Sequence, residues 1–156
     1  MKYIITTFSA LSLSLAISNA QVISKNIPIK IGAKSFDEGD VISITESKST
    51  SDKIQIGDTV TIKGKYRLDS VDSAKLMLLT TRTKTDGAIE VDKSQKLKVT
   101  KGWHEFELST IIKHAGVLHL TFYTKEGKPF GGVYFGTADQ ADELNKMSVA
   151  HYKKNR

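Results

Sequence analysis

Hydrophobic and polar side chains alternate along most of the chain with the period of two that is typical of β-strands. One face of the segment TVTIKGKYRL, residues 59–68, carries Val60, Ile62, Tyr66 and Leu68. The opposite face carries only hydroxyl and basic side chains, which predicts a strand with one buried and one solvated side. The segment DVISITES, residues 40–47, repeats the pattern with Ile42 and Ile44 inward. The segment AKLMLLTTRT, residues 74–83, is apolar on both faces, and we expect it to lie centrally in a sheet.

Eight such segments are separated by short runs that favour turns. They are VISKNIPIKIG, DVISITES, TVTIKGKYRL, AKLMLLTTRT, SQKLKV, WHEFEL, GVLHLTFY and GGVYFG. The turn signals lie at residues 56–58, 69–73, 85–87, 101–102 and 126–129. About eight short strands joined by turns predict an all-β domain, an antiparallel β-sandwich with a jelly-roll-like layout.

The N-terminal end differs in character from this domain. Residues 1–20 carry the basic Lys2, then an apolar run, and end in the small residues Ser18 and Ala20, as a secretory signal peptide does. We therefore expect cleavage after Ala20 and a secreted or periplasmic protein, with a retained N-terminal anchor as the alternative. No later apolar run approaches the length that spans a membrane, so we expect no transmembrane segment after cleavage.

The C-terminal end also departs from the strand pattern. Residues 139–156 have apolar side chains three apart, with acidic side chains first and basic ones last, an order that suits the dipole of an α-helix. A short helix and a flexible tail both fit this stretch. The β-sandwich domain is accordingly predicted to span residues 21–138.

Composition and charge narrow the function classes. The chain has no cysteine, which excludes a catalytic thiol, a disulfide framework and a zinc site with cysteine ligands. The net charge of +6 favours contact with anionic glycans, lipid headgroups or nucleic acid. The basic residues are scattered along the sequence, however, and a solvated sheet face explains them equally well. We therefore predict no specific nucleic-acid binding.

Patterns that indicate catalysis are weak. The four histidines have no metal-ligand spacing, and no serine has the context of a nucleophile. Glu105 and Glu107 lie two residues apart on one predicted strand, so a small glycoside hydrolase with two carboxylates is an alternative. Alternating glutamates on a solvated strand account for the same pattern. We expect that the protein is not an enzyme.

The acidic stretch SFDEGD contains the candidates for a metal site, Asp37, Glu38 and Asp40. Carboxylate oxygens from one loop are ligands that calcium prefers, and a structural calcium ion is the one cofactor that this pattern suggests. A charged turn in which Gly39 adopts a positive φ explains the stretch without a metal, and we prefer that interpretation.

Binding is better supported than catalysis, because four rings fall at outward positions of the predicted strands. They belong to Trp103, His119, Tyr123 and Tyr134. Rings on a flat sheet face stack on sugar rings, whose faces are also large and weakly hydrated. A lone tyrosine on a strand is nevertheless more often a cross-strand packing partner.

The stretch KPFGGVYFGT, residues 128–137, places one of these rings between glycines. Alternation predicts that Val133 and Phe135 face inward and that Phe130 and Tyr134 face outward. The glycines on either side of Tyr134 indicate either open access to its ring or a tight fit against another part of the chain.

Four stretches together resemble a bacterial module associated with exported and sensor-like proteins. They are FDEGDVISITE, IGDTVTIKGKYRLDSVDSAKLMLLTT, KGWHEFEL and FYTKEGKPFGGVYFGT. The match covers residues 36–137, and the closing motif FGGVYFGT is its most specific part. The resemblance implies one β-sandwich domain and brings no catalytic residue. The layout is also similar to that of jelly-roll carbohydrate-binding modules.

These features together predict an exported, non-catalytic binding module. Its expected ligand is an extracellular polysaccharide or another envelope component, contacted by the four rings named above. The alternative is a structural or protein–protein interaction domain of the cell envelope, which docks through a sheet edge or through the C-terminal segment.

Overall fold

The strands predicted from the alternating pattern form one antiparallel sheet that bends into two layers, a β-sandwich. They are β1 (Lys25–Asn26), β2 (Lys30–Ser35), β3 (Val41–Ser49), β4 (Thr59–Thr83), β5 (Ile89–Ile111), β6 (Val117–Tyr123) and β7 (Pro129–Gly136). Their order is β1-β3-β4-β6-β7-β2, and β5 pairs with β4 outside this path.

The computed structural model describes residues 24–83 and 89–146, with the backbone alone described at residues 83 and 89–95. The predicted signal peptide, the predicted turn at 85–87 and the last residues of the C-terminal segment lie outside these ranges. Within them, no helix has the length and apolar character needed to cross a membrane.

The long hairpin of β4 and β5 belongs to both layers. β4 begins beside β3 and ends beside β6, while β5 follows its other edge throughout. We call β1, β3, residues 59–68 and residues 102–111 the first layer. The second layer consists of β2, β6, β7, residues 73–83 and residues 89–100. All the pairings are antiparallel, as the alternating pattern predicted.

Two stretches that were predicted to separate strands are instead bends inside β4 and β5. Their pairing reaches Leu68 and Gly102 and resumes at Ser73 and Thr100, so that residues 69–72 lie opposite Lys101 alone. Gly102 has a φ of 100°, a conformation that glycine adopts without steric cost. The prediction of separate strands was wrong at these two points, because a bulge bends a strand without ending it.

The core lies between the layers and contains the side chains that alternation places inward. Its fully buried members include Val60, Ile62, Leu68, Leu76, Leu78, Leu118, Leu120, Phe122 and Phe135. Met77 and Leu79 are buried on the opposite face of β4, as predicted for a central strand. Burying such a side chain is worth about 1.5–3 kcal/mol, so apolar packing stabilises this fold without disulfides.

Phe130 departs from the predicted alternation. It packs against the core and stacks on Phe122, with 5.7 Å between ring centroids. The pairing of β6 with β7 shifts between Phe122 and Tyr123, which leaves Phe130 at an irregularity and turns its side chain inward. The outward prediction for Phe130 was therefore wrong.

After β7 the chain forms a 3₁₀ turn, Ala138–Gln140, that continues as an α-helix through residues 141–146. The side chain of Gln140 accepts a hydrogen bond from the backbone of Thr137 at 3.0 Å and donates one to the carbonyl of Gly116 at 2.5 Å. Leu144 is buried against Val117, on the outer side of the second layer. A short helix is therefore confirmed for the start of the C-terminal segment.

Candidate functional site

The four predicted ligand-binding residues lie on the outer faces of different layers. His119, Tyr123 and Tyr134 share the outer face of the second layer, on β6 and β7. Trp103 lies on β5 in the first layer, directly opposite Arg67 of β4. The structure therefore brings three of these residues together and separates the fourth from them.

The rings of His119 and Tyr134 pack against each other. They are directly opposite in the β6–β7 pairing, and their rings stack with centroids 3.8 Å apart and planes 9° apart. Leu144 of the C-terminal helix packs in the same cluster as Tyr134. Both rings are only partly exposed, because each has a neighbour from the same chain on it.

The glycines beside Tyr134 are packing features. A Cβ atom at Gly132 would lie 2.7 Å from Nε2 of His119 and 2.6 Å from the carbonyl oxygen of Leu120. A Cβ atom at Gly136 would lie 2.6 Å from Oε1 of Gln140. Of the two explanations that the sequence left open for these glycines, the geometry supports the close fit.

Tyr123 contributes little open ring surface. It is 9% exposed and packs with Met77 and Leu79 on the outer side of the second layer. Burial raises the pKa of Tyr123 and of Tyr134, with the neighbouring Tyr123 adding to the effect on Tyr134. The packing of His119, Tyr123 and Tyr134 is therefore that of side chains which stabilise the second layer and the C-terminal helix docked on it.

Trp103, by contrast, presents an open ring. It is 59% exposed and is the one large aromatic side chain with high exposure in the described part of the chain. The register places Val41, Arg67 and Trp103 in one lateral row across β3, β4 and β5. The guanidinium of Arg67, in the middle of this row, forms an ion pair with Asp69 at 2.5 Å.

A shallow polar depression lies beside that row. Its volume is about 380 Å³, and it is lined by Thr45, Lys63, Gly64, Lys65, Glu105, Phe106 and Glu107. Two cross-strand ion pairs cross its surface, Lys65 with Glu105 at 3.3 Å and Lys63 with Glu107 at 3.1 Å. The hydrogen bond from Lys63 to Glu107 raises the pKa of that lysine. Lysine hydrogen-bond donors and glutamate acceptors therefore lie side by side next to the open indole ring of Trp103.

Glu105 and Glu107 are not placed as a catalytic pair. Their side chains are 80% and 59% exposed, and each is paired with a lysine of β4. A general acid in a glycosidase needs an enclosed, apolar setting that holds its carboxyl protonated. The geometry favours the solvated strand over the hydrolase alternative.

The acidic residues of the predicted metal site have separate roles. Asp40 is 4% exposed, and its carboxylate accepts hydrogen bonds from the amides of Asp69 at 2.7 Å and Ser70 at 3.0 Å, and from the Ser70 hydroxyl at 2.5 Å. Asp37 and Glu38 are exposed. No three potential ligands from His, Asp or Glu converge in the described residues. Gly39 has the positive φ, 86°, of the charged turn.

Sequence reasoning missed the neighbours of Trp103. Arg67 and Lys65 were assigned to a solvated face, because alternation gives the face of a residue and not its partner on the next strand. The register of β4 with β5 brings them beside Trp103 and Glu105. A signal that could have found the charged neighbours is the opposite charge at matching distances from a turn, Lys63 and Lys65 before it and Glu107 and Glu105 after it.

No family model and no curated protein matches the chain. A solved structure similar to it is the CBM22-1 xylan-binding domain of Xyn10C from Paenibacillus barcinonensis. It is 14% identical, and the match covers 74% of this chain and 92% of that domain with a TM-score of 0.34. The candidate surface around Trp103 is defined by its own geometry and not by this likeness.

Proposed function

We propose that the protein is a non-catalytic binding module that holds a polysaccharide on the outer face of the first layer, with Trp103 as the stacking platform. The observation that carries the proposal is the 59% exposed indole of Trp103, in register with Arg67 and next to a shallow polar depression. Tyr134, His119 and Tyr123 serve as structural support for the second layer in this proposal.

The chemistry of this face suits a sugar chain. The C–H face of a pyranose stacks on an indole, while its hydroxyl groups need both donors and acceptors around it. Arg67 and Lys65 supply donors, and Glu105 supplies an acceptor, all on the same face. Tryptophan and arginine are also the residue types that contribute most to binding energy at protein surfaces.

The shape of the face favours a polymer over a small molecule. Small-molecule sites enclose most of the ligand surface in a concave pocket. Here the depression of about 380 Å³ is shallow, and a second one of about 260 Å³ shares Thr45 with it. A chain of sugars would lie across several strands, and the predicted signal peptide would deliver the protein to extracellular or envelope glycans.

Docking of a protein partner through the C-terminal segment has less support. Leu144, the buried apolar side chain of the described helix, already packs against Val117 of the same chain. Residues 138–146 would have to leave the second layer before they could bind a partner through that side chain.

The single tryptophan of the chain makes the proposal directly testable by fluorescence. Titration with soluble xylan, a β-glucan and polygalacturonate should shift the emission of Trp103 to shorter wavelength for the polymer that binds, and protect it from acrylamide. Trp103→Ala should weaken binding, measured by affinity electrophoresis, about thirtyfold, since an aromatic hot spot is worth about 2 kcal/mol.

Ile56→Ala provides the matched control, because Ile56 is also a large, exposed apolar residue of this structure but lies outside the row of Trp103. It should leave the affinity unchanged. Polysaccharide binding that persists undiminished in Trp103→Ala would refute this surface.

A further inference from the structure

The basic side chains of the two layers differ in their partners. On the outer face of the first layer, each basic residue has a carboxylate beside it. The pairs are Lys48 with Glu46, Lys63 with Glu107, Lys65 with Glu105 and Arg67 with Asp69. In the second layer, Lys75, Lys96 and Lys98 form no salt bridge with any described side chain. Among the described side chains, the charge of the first face is balanced, and these three lysines of the second layer are not.

The unbalanced lysines lie together because of the strand register. Lys75 of β4 is directly opposite Lys98 of β5, and Lys96 lies two residues further along, opposite Met77. Like charges directly opposite each other on adjacent strands destabilise a sheet. Nζ of Lys75 donates a hydrogen bond to the carbonyl oxygen of Lys125 at 3.2 Å, which holds the ammonium group beside the loop between β6 and β7. An anion placed between the lysines would relieve their repulsion.

Two acidic residues of the described part of the chain lie near this cluster. Asp72 is exposed on the bulge of β4, and Glu126 lies in the loop between β6 and β7. The pKa of Glu126 is lowered first by its own backbone amide and then by the hydroxyl of Thr124, with Lys125 and Lys75 contributing less. Neither carboxylate forms a salt bridge with a lysine among the described side chains. Counting the described side chains, the cluster therefore keeps a net positive charge.

The cluster is continuous with the Trp103 surface along β5. From Lys98 the strand passes Lys101, which is exposed at the bend, and reaches Trp103 in the first layer. The five residue steps from Lys98 to Trp103 span at most roughly 17 Å at the rise of a β-strand. Both positions face away from the core, so they lie on the convex side of the bend.

We propose that the polysaccharide held by Trp103 is an acidic one, and that Lys75, Lys96 and Lys98 bind the carboxylate groups of its uronic acid residues. This inference rests on the proposed function. A flexible polymer can follow the bend from Trp103 to Lys98, whereas a flat lipid surface cannot contact both layers at once. Single-stranded nucleic acid is bound by several exposed rings that stack on successive bases, whereas Trp103 is the one large, highly exposed ring among the described residues.

The test compares two variants that remove the same charge. Lys96→Gln/Lys98→Gln removes two lysines of the cluster, and Lys30→Gln/Lys34→Gln removes two exposed lysines from β2, at the far edge of the second layer. Binding of polygalacturonate, xylan, single-stranded DNA and vesicles that contain anionic lipid is measured at two salt concentrations. The unmodified protein should bind polygalacturonate more tightly than the other three probes.

The cluster variant should weaken polygalacturonate binding about tenfold, because solvent-exposed charge contacts contribute only modestly to affinity. It should also reduce the salt dependence, because fewer counterions are displaced. The β2 variant should match the unmodified protein. Equal weakening by both variants would show an effect of net charge alone and overturn the proposal, as would tighter lysine-dependent binding of DNA or vesicles.

Failure of this inference and of the proposed function are distinguishable. Binding that is lost in Trp103→Ala and unchanged in the cluster variant would retain the polysaccharide surface and overturn the acidic ligand. Polygalacturonate binding that depends on the lysines and not on Trp103 would retain the lysine site and overturn the stacking platform. Binding of none of the polysaccharides would overturn both.

Discussion

The imidazole ring of His119 lies parallel to the phenol ring of Tyr134, with 3.8 Å between their centroids. Close packing around this contact accounts for two glycines of the motif FGGVYFGT. The ring of His119 occupies the space that a side chain at Gly132 would need, and Gln140 occupies the corresponding space at Gly136. A stretch that resembles an open platform in the sequence is thus a close-packed support for the C-terminal helix.

We expect Gly132→Ala to destabilise the protein by about 1–3 kcal/mol, because the added methyl group would overlap His119 and the backbone of Leu120. The free energy of unfolding in urea measures the effect. Tyr134→Phe is the control, since it keeps the stacked ring and should change stability by less than about 0.5 kcal/mol. Unchanged stability of Gly132→Ala would contradict the close fit.

Leu144 should matter for the docking of the C-terminal helix. It is buried against Val117, so Leu144→Ala is expected to cost about 2 kcal/mol, near the lower limit for a buried leucine because the site lies at the surface of the sandwich. Limited proteolysis after residue 137 should become faster. Asn145→Ala, an exposed position on the same helix, should leave both the stability and the cleavage rate unchanged.

Asp40 should act as a structural acceptor at the bend of β4. Asp40→Ala leaves the amides of Asp69 and Ser70 and the Ser70 hydroxyl without this acceptor, and we expect a loss of about 3 kcal/mol. Asp37→Ala, at an exposed position of the same turn, should have little effect. Thermal unfolding measured with calcium and with a chelator tests the alternative, a metal-binding role for Asp40. A calcium-dependent rise in Tm that Asp40→Ala abolishes would assign a metal-binding role instead.

Asp58 should make the stability depend on acid pH. Its buried carboxylate accepts hydrogen bonds from the hydroxyls of Thr50 at 2.8 Å and Ser51 at 2.7 Å, and from the amide of Gln55 at 3.0 Å. Desolvation raises the pKa of Asp58, but these hydrogen bonds outweigh it and the pKa is lowered overall. The ionised form therefore stabilises the folded state.

A lowered folded-state pKa means that the stabilisation is present above the ordinary aspartate pKa of about 4 and is lost as pH falls below it. Urea unfolding between pH 7 and pH 3 should show this loss. Asp58→Asn should be less stable at pH 7 and should show a smaller fall on acidification. Asp52→Asn removes an exposed carboxylate nearby, so its profile should follow that of the unmodified protein. Identical pH profiles for Asp58→Asn and the unmodified protein would contradict this role.

Alternation by itself determined which side chains form the core. A strand has only two faces, so apolar residues at every second position select the buried one, and Val60, Ile62, Leu118, Leu120 and Phe135 are all buried as predicted. The β-sandwich followed from the same reasoning. For the C-terminal segment the sequence left a short helix and a flexible tail open, and the structure shows a helix at residues 141–146. Where alternation failed, at Phe130, an irregularity in strand pairing had shifted the register.

Only the tertiary structure decided which outward residues are neighbours. Trp103 and His119 both have outward parity, yet the bend of β4 and β5 places them on different layers. The same register places Lys75 opposite Lys98, although the sequence separates them by a whole hairpin. The physical reason is that local backbone geometry decides whether a side chain points inward or outward. Its neighbours on the adjacent strands depend instead on the register and bending of the paired strands, which the packing of the whole core sets.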